Sequence, residues 1–167
     1  NKDVLQSLCL GGWTNLTPER LERLITIYEK IIEGDSKSVS SKQLAWIYKD
    51  RKNYNKSFAY HLMYYDSYKD DQELNKSLFY GDWSSLNNVN KAKLIELLES
   101  YTLGKKDIHL MKSLAFLYRE RKEIDKAFEI YQNLFELNPD DKKIIQVWTQ
   151  GGWEDLSIQN KEYLEKF

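Results

Sequence analysis

The chain has 167 residues, 41% apolar and 14% aromatic, with a formal net charge of −1. Charged residues make up 31% but nearly cancel, so no basic field exists to hold nucleic acid. No apolar run reaches the roughly 18 residues of a membrane span, a single cysteine excludes an internal disulfide, and scarce Pro (2) and Gly (7) favour helices over turn-rich β-structure.

In chain order, a short helix carrying Val4 and Leu8, with Cys9 on its apolar stripe, leads into "LGGWTNL" at Leu10–Leu16. Thr17 is a favoured helix N-cap, and Pro18 stands at the first helical position, where its missing N–H costs nothing. Leu21, Leu24, Ile25, Tyr28, Ile31 and Ile32 follow at spacings of three and four, predicting a helix that closes on a left-handed cap at Gly34. Helices over roughly 38–51, with Leu44, Ala45 and Tyr48 on one stripe, and roughly 54–68 come next. A short helix with Leu74 and Leu78 then precedes "FYGDWSSL", an N-cap at Asn87, and a helix with Leu94, Ile95, Leu98 and Tyr101 that closes at Gly104. The pattern returns with helices over roughly 108–121 (Leu114, Ala115, Tyr118) and 124–137, a stop at Asn138-Pro139-Asp140, and a short helix with Ile144 and Trp148. "QGGWEDL", a cap at Ser157 and a last helix complete it.

Trp13, Trp83 and Trp153 stand at a step of 70, as do Gly11, Gly81 and Gly151 and Leu16, Leu86 and Leu156. Lys42–Phe58 lies on Lys112–Phe128 at the same step without a gap, which makes the period a property of the chain rather than of one motif. The Trp falls in the turn between two antiparallel helices. Gly is expected to let the chain reverse there, with Trp and Leu plugging the apolar gap beneath. A ligand-binding Trp is the other reading, but a large aromatic at a fixed repeat position points to packing. One 70-residue unit is then four helices, or two hairpins, and the expected fold is all-α: an α-solenoid of antiparallel helical hairpins. Residues 1–167 read as one array: a partial unit at 1–35, hairpins at 36–70, 71–105 and 106–140, and a partial hairpin at 141–167. Neither end has the polar face of a capping repeat, so the chain reads as a piece of a longer protein.

"MKSLAFLYRERKEIDKAFEIYQNLFELNPDD" resembles a tetratricopeptide repeat, with Met111, Leu114, Ala115, Tyr118, Ala127, Tyr131 and Pro139 at that family's spacing. The copy 70 residues earlier matches at Ser41, Leu44, Ala45 and Tyr48 but carries Ser57, His61 and Lys69 in place of Ala, the aromatic and Pro. The hairpins holding the Trp motifs look like divergent repeats of the same architecture. The resemblance implies a superhelix in which Ala45, Ala115 and Ala127 let paired helices approach closely and Tyr48 and Tyr118 fill the neighbouring gap. It also implies that the first helix of each hairpin lines a concave groove, which here would show Lys42, Trp46 and Lys49 and then Lys112, Phe116 and Arg119. Their i, i+4, i+7 spacing puts each trio on one helical stripe. Cation, aromatic, cation, twice over, suits an extended peptide with acidic and apolar residues, and Arg119 has the fork to hold a carboxylate. The competing reading is an ordinary surface, with Lys stems lying over Trp46 and Phe116.

Nothing in the chain matches a nucleophile elbow, a phosphate-cradling Gly loop, HExxH or CxxC. His61 aligns with Tyr131 and reads as a core histidine, Cys9 as buried, and Asp140-Asp141 as a turn and helix cap rather than a metal site. The expected function is a non-catalytic scaffold that binds another protein or an extended peptide, with no cofactor and no metal. Alternatives are the arm of a larger envelope, export or enzyme assembly, and a helical-repeat RNA reader, against which Asp50, Glu120 and Glu123 count. The sequence names no compartment beyond a cytoplasmic default, and a chain opening at Asn1 without a Met leaves room for a removed targeting segment.

Overall fold

The computed structural model describes residues 12–36, 38–103, 107–150 and 152–165. They are all-helical: a 3-10 turn at Gly12–Asn15, then α1 (Pro18–Gly34), α2 (Ser40–Asp50), α3 (Tyr54–Ser67), α4 (Gln72–Phe79), α5 (Asn88–Thr102), α6 (Ile108–Glu120), α7 (Ile124–Leu137), α8 (Lys142–Gln150) and α9 (Ile158–Leu164). Val4, Leu8, Cys9, Gly11, Gly104 and Gly151 lie outside the described residues, and with them the first expected helix. The chain divides into two compact units, Asn1–Asn90 and Lys91–Phe167.

In the first unit α1 packs on α2, α2 on α3 and α3 on α4; in the second, α6 packs on α7 and α7 on α8. The expected apolar stripes face the cores, with Leu21, Ile31 and Tyr101 only partly buried at their edges. Leu24, Ile25, Tyr28 and Ile32 of α1 meet Leu44, Ile47 and Tyr48 of α2 in one core. Phe128, Tyr131 and Leu134 of α7 meet Ile144 and Trp148 of α8 and Trp153 in the other. Ala45, Ala115 and Ala127 have no exposed surface, as close helix approach requires. Ser57, at the place of Ala127, is equally buried and donates its hydroxyl to the Ala45 carbonyl at 2.8 Å, so the polar atom is satisfied. Pro139 is exposed just beyond the end of α7, where no helical N–H is needed.

Caps explain most of the helix starts. Asn53, Asp71, Asp107 and Asp141 accept from the backbone N–H groups of Lys56, Leu74, Leu110 and Ile144, and Asn87 from that of Asn90 at 2.9 Å. Thr17 accepts from Arg20, with Pro18 behind it. Ser157 departs from expectation: its side chain makes no capping bond, and its N–H donates instead to Asp125 Oδ1 at 3.0 Å. Gly34 also departs. It ends α1 without a positive φ, and the chain leaves through extended Asp35. Among the described residues the left-handed ones are Gly152 (φ 84°), beside Trp153, and two non-glycines, Lys52 (φ 57°) and Lys122 (φ 61°), each one residue past the C-caps Arg51 and Arg121 of α2 and α6. In both turns the next N–H reaches back to a tyrosine carbonyl, Asn53 to Tyr48 at 2.8 Å and Glu123 to Tyr118 at 2.9 Å, a Schellman closure with lysine where glycine is usual.

Residues 70 apart make the same bonds. Lys42 pairs with Asp71 and Lys112 with Asp141. Tyr48 donates to Glu29 and Tyr118 to Glu99. Asn55 accepts from the Asn87 N–H and the Asn90 amide, and Asp125 from the Ser157 N–H and the Asn160 amide. Each pair lies within its own unit.

Candidate functional site

The three Trp-x-x-Leu segments form one turn: the Leu N–H donates to the Trp carbonyl at 3.1 Å (Leu16 to Trp13), 3.1 Å (Leu86 to Trp83) and 3.3 Å (Leu156 to Trp153). Trp83 and Trp153 are each 5% exposed. Trp83 stands edge-on to Phe58 and His61, with centroids 5.3 and 5.4 Å apart; Trp153 stands edge-on to Phe128 and Tyr131, at 5.2 and 6.0 Å. The Trp83 indole N–H donates to the Leu78 carbonyl at 2.7 Å, whereas that of Trp153 is buried without a hydrogen-bond partner. Trp13 is only half-buried and donates to Asp50 Oδ2 at 2.9 Å.

In the second copy of the motif the glycine has a different purpose from chain reversal. Gly81 has no positive φ, but a Cβ there would stand 2.5 Å from the Ser77 carbonyl oxygen and 2.9 Å from Trp83 Nε1. Its absent side chain lets α4 and the Trp close together.

On α2 the first predicted trio is already engaged. Lys42 Nζ lies 2.9 Å from both Asp71 Oδ2 and Glu73 Oε2. Burial disfavours the charge on Lys42, but Asp71 and Glu73 outweigh it and hold its pKa above the ordinary lysine value. Burial likewise works to raise Asp71, and the Leu74 N–H, Lys42 and Tyr64 overcome it, leaving that carboxyl below its ordinary value. Trp46 meets His61 edge-on at 5.6 Å, and Lys49 Nζ lies 5.0 Å above its ring while donating to Ser77 Oγ at 3.0 Å.

His61 closes this cluster and has no exposed surface. Its Nδ1 lies 2.9 Å from the Ser57 carbonyl oxygen, which can only accept, so Nδ1 carries the proton. Nε2 is then the acceptor for Ser77 Oγ at 3.1 Å, and that hydroxyl in turn accepts from Lys49. Burial, with Lys49 adding to it against the pull of the Ser57 carbonyl, drives the histidine down to about 4. The ring is neutral, structural and closed to solvent.

The second trio is laid out more openly. Lys112 Nζ pairs with Asp141 Oδ2 at 2.6 Å, and this bond is the leading cause that keeps Asp141 below its ordinary pKa. The Arg119 guanidinium lies 5.1 Å over the Trp153 ring. Phe116 is 50% exposed, while its counterpart Trp46 is partly covered. The two trios thus share a layout, with Lys42 and Lys112 committed to aspartate partners and one bare aromatic on α6. Sequence reasoning missed those partners, although Asp71 and Asp141 stand at the repeat step and carried the signal.

Among the described residues no group of three His, Cys, Asp or Glu side chains could hold a metal ion, and no helix is long and apolar enough to cross a membrane. Compared with known proteins, the chain matches no family model, no curated protein and no solved structure.

Proposed function

We propose that the chain is a non-catalytic protein-interaction scaffold of tetratricopeptide type, built from 70-residue units of two helical hairpins stacked as an α-solenoid. The recurrence of the same ion pairs, tyrosine–glutamate bonds and Trp packing at a step of 70 supports the architecture. The half-exposed Phe116 between Lys112 and Arg119 carries the binding reading, because an aromatic left bare on a helix whose other apolar residues are buried or partly buried suits a partner's apolar side chain. With Lys42 and Lys112 tied to helix-capping aspartates, recognition in each unit rests on its own aromatic, Trp46 or Phe116, and the cations supply a rim that favours an acidic extended segment.

Panning a displayed peptide library on the whole chain tests this. Extended peptides combining apolar and acidic residues should be enriched and should bind a Phe116→Ala variant about tenfold more weakly, the order of one lost aromatic contact. Phe116→Ala at a half-exposed site leaves the core intact, so unchanged helicity accompanies the loss. Enriched peptides that bind parent and variant alike would place the interaction on another face.

A further inference from the structure

The two units differ sharply at the position of Tyr60. In the first, Tyr60 lies flat on Tyr48, with ring centroids 5.6 Å apart and planes within 5°, and donates to Glu29 Oε1 at 3.3 Å. The same oxygen accepts from Tyr48 at 3.1 Å, and Lys56 Nζ sits 4.7 Å from the Tyr48 centroid. Burial first and Glu29 second push the Tyr60 hydroxyl up to about 12, so it stays a proton donor. In the second unit the frame is repeated: Tyr118 donates to Glu99, and Lys126 Nζ lies 5.0 Å over the Tyr118 ring. The residue 70 beyond Tyr60, however, is Ile130.

Ile130 packs against the core of its unit but has no ring to extend and no hydroxyl to offer Glu99. An open cleft of about 530 Å³ lies here, lined by Glu99, Leu103, Leu114, Tyr118, Glu129 and Ile130 among others. Leu103 at its edge is 85% exposed, an apolar side chain left in water. The cleft therefore combines an apolar floor with two carboxylates and the Lys126 ammonium, and Glu99, Tyr118, Lys126 and Ile130 stand 70 residues beyond Glu29, Tyr48, Lys56 and Tyr60 of the other unit.

We propose that this cleft receives a tyrosine side chain from a partner protein, which does between molecules what Tyr60 does within the first unit. The ring covers Ile130 and Leu103, and the phenol donates to Glu99, a charge-assisted bond that phenylalanine cannot make. Glu99 and Glu129 disfavour acidic side chains at the same place, where the cation, Lys126, is already paired with Glu123. None of the cleft residues belongs to the Lys112, Phe116 and Arg119 stripe, so this inference stands or falls apart from the reading above.

The test is a titration of the whole chain, methyl-labelled at Ile and Leu, with N-acetyltyrosinamide, followed by NMR. Saturable shifts are expected at the Ile130 and Leu103 methyls, with N-acetylphenylalaninamide binding about tenfold more weakly for want of one hydrogen bond to a charged group. Ile130→Tyr, which rebuilds the arrangement of the first unit, should stay folded and lose the Leu103 shift. Leu103→Asp, at a solvent-exposed position, should abolish binding without touching the core. Absence of saturable shifts, equal binding of the phenylalanine or arginine amide, or binding that survives both substitutions would overturn the proposal.

Discussion

Replacing Trp83 by Ala should cost about 3–5 kcal/mol of stability, the range for deleting a large buried aromatic. The indole fills the gap between Phe58 and His61 at 5% exposure, and its removal also strips the Leu78 carbonyl of a donor. Trp153→Ala should cost somewhat less, because the same packing is lost but no hydrogen bond goes with it. A single such bond is worth about 1 kcal/mol, so conservative Trp→Phe changes should separate the two sites more cleanly than alanine does. Trp13→Ala should be the mildest, since its ring is half-buried and its bond to Asp50 is exposed. Urea unfolding of the three variants gives the order directly. Equal costs at all three sites, or a negligible one at Trp83, would mean that the motif does not close the helix junctions.

Acid should weaken the first unit over a window set by His61. The folded ring is held at about 4 against an ordinary histidine value of 6.5. Between those values the unfolded chain binds a proton that the folded chain refuses, so stability is full above about pH 6.5 and falls as the pH drops towards 4. The loss amounts to about 3 kcal/mol. Asp71 and Asp141, whose pKa values are lowered from 3.8, lose their contribution only at lower pH, which leaves the histidine window readable. The second unit offers the control. Where the first has Ser57, His61 and Ser77, it has Ala127, Tyr131 and Val147, so the polar network is exchanged as a set. His61→Tyr alone should destabilise, because it breaks the bond between Ser77 and the ring inside a filled core. Adding Ser57→Ala and Ser77→Val should recover much of that loss and flatten the profile from pH 6.5 to 4, measured as urea midpoints across pH. A slope that persists in the triple variant would assign the titration to another group.

Much of the helical layout was legible because apolar spacing reports which face of a helix is buried. Leu44, Ala45 and Tyr48, with their copies Leu114, Ala115 and Tyr118, are buried as their stripe requires, and His61 sits in the core as its alignment with Tyr131 implied. What periodicity cannot report is which polar group waits across a helix junction. Lys42 and Lys112 looked like free groove cations until Asp71 and Asp141, 29 residues on, were found to hold them while also capping α4 and α8. Composition also misassigned the glycines. Gly34 suggested a left-handed cap, but the left-handed residues are Lys52, Lys122 and Gly152, and Gly81 is required for close approach instead. The cleft at Ile130 was hidden because a Tyr-to-Ile difference between copies looks like ordinary apolar variation until Tyr60 is seen spanning from Tyr48 to Glu29.

A chimera in which residues 110–149 replace residues 40–79 tests most directly whether the 70-residue step is a structural unit. It sets α6–α8 where α2–α4 stood, in register with the Trp83 turn. Units that are interchangeable modules predict a thermal melt by circular dichroism as cooperative as the parent's, with the same helix content. A chimera that loses helix or melts without cooperativity would show that the shared sequence step does not correspond to a shared module.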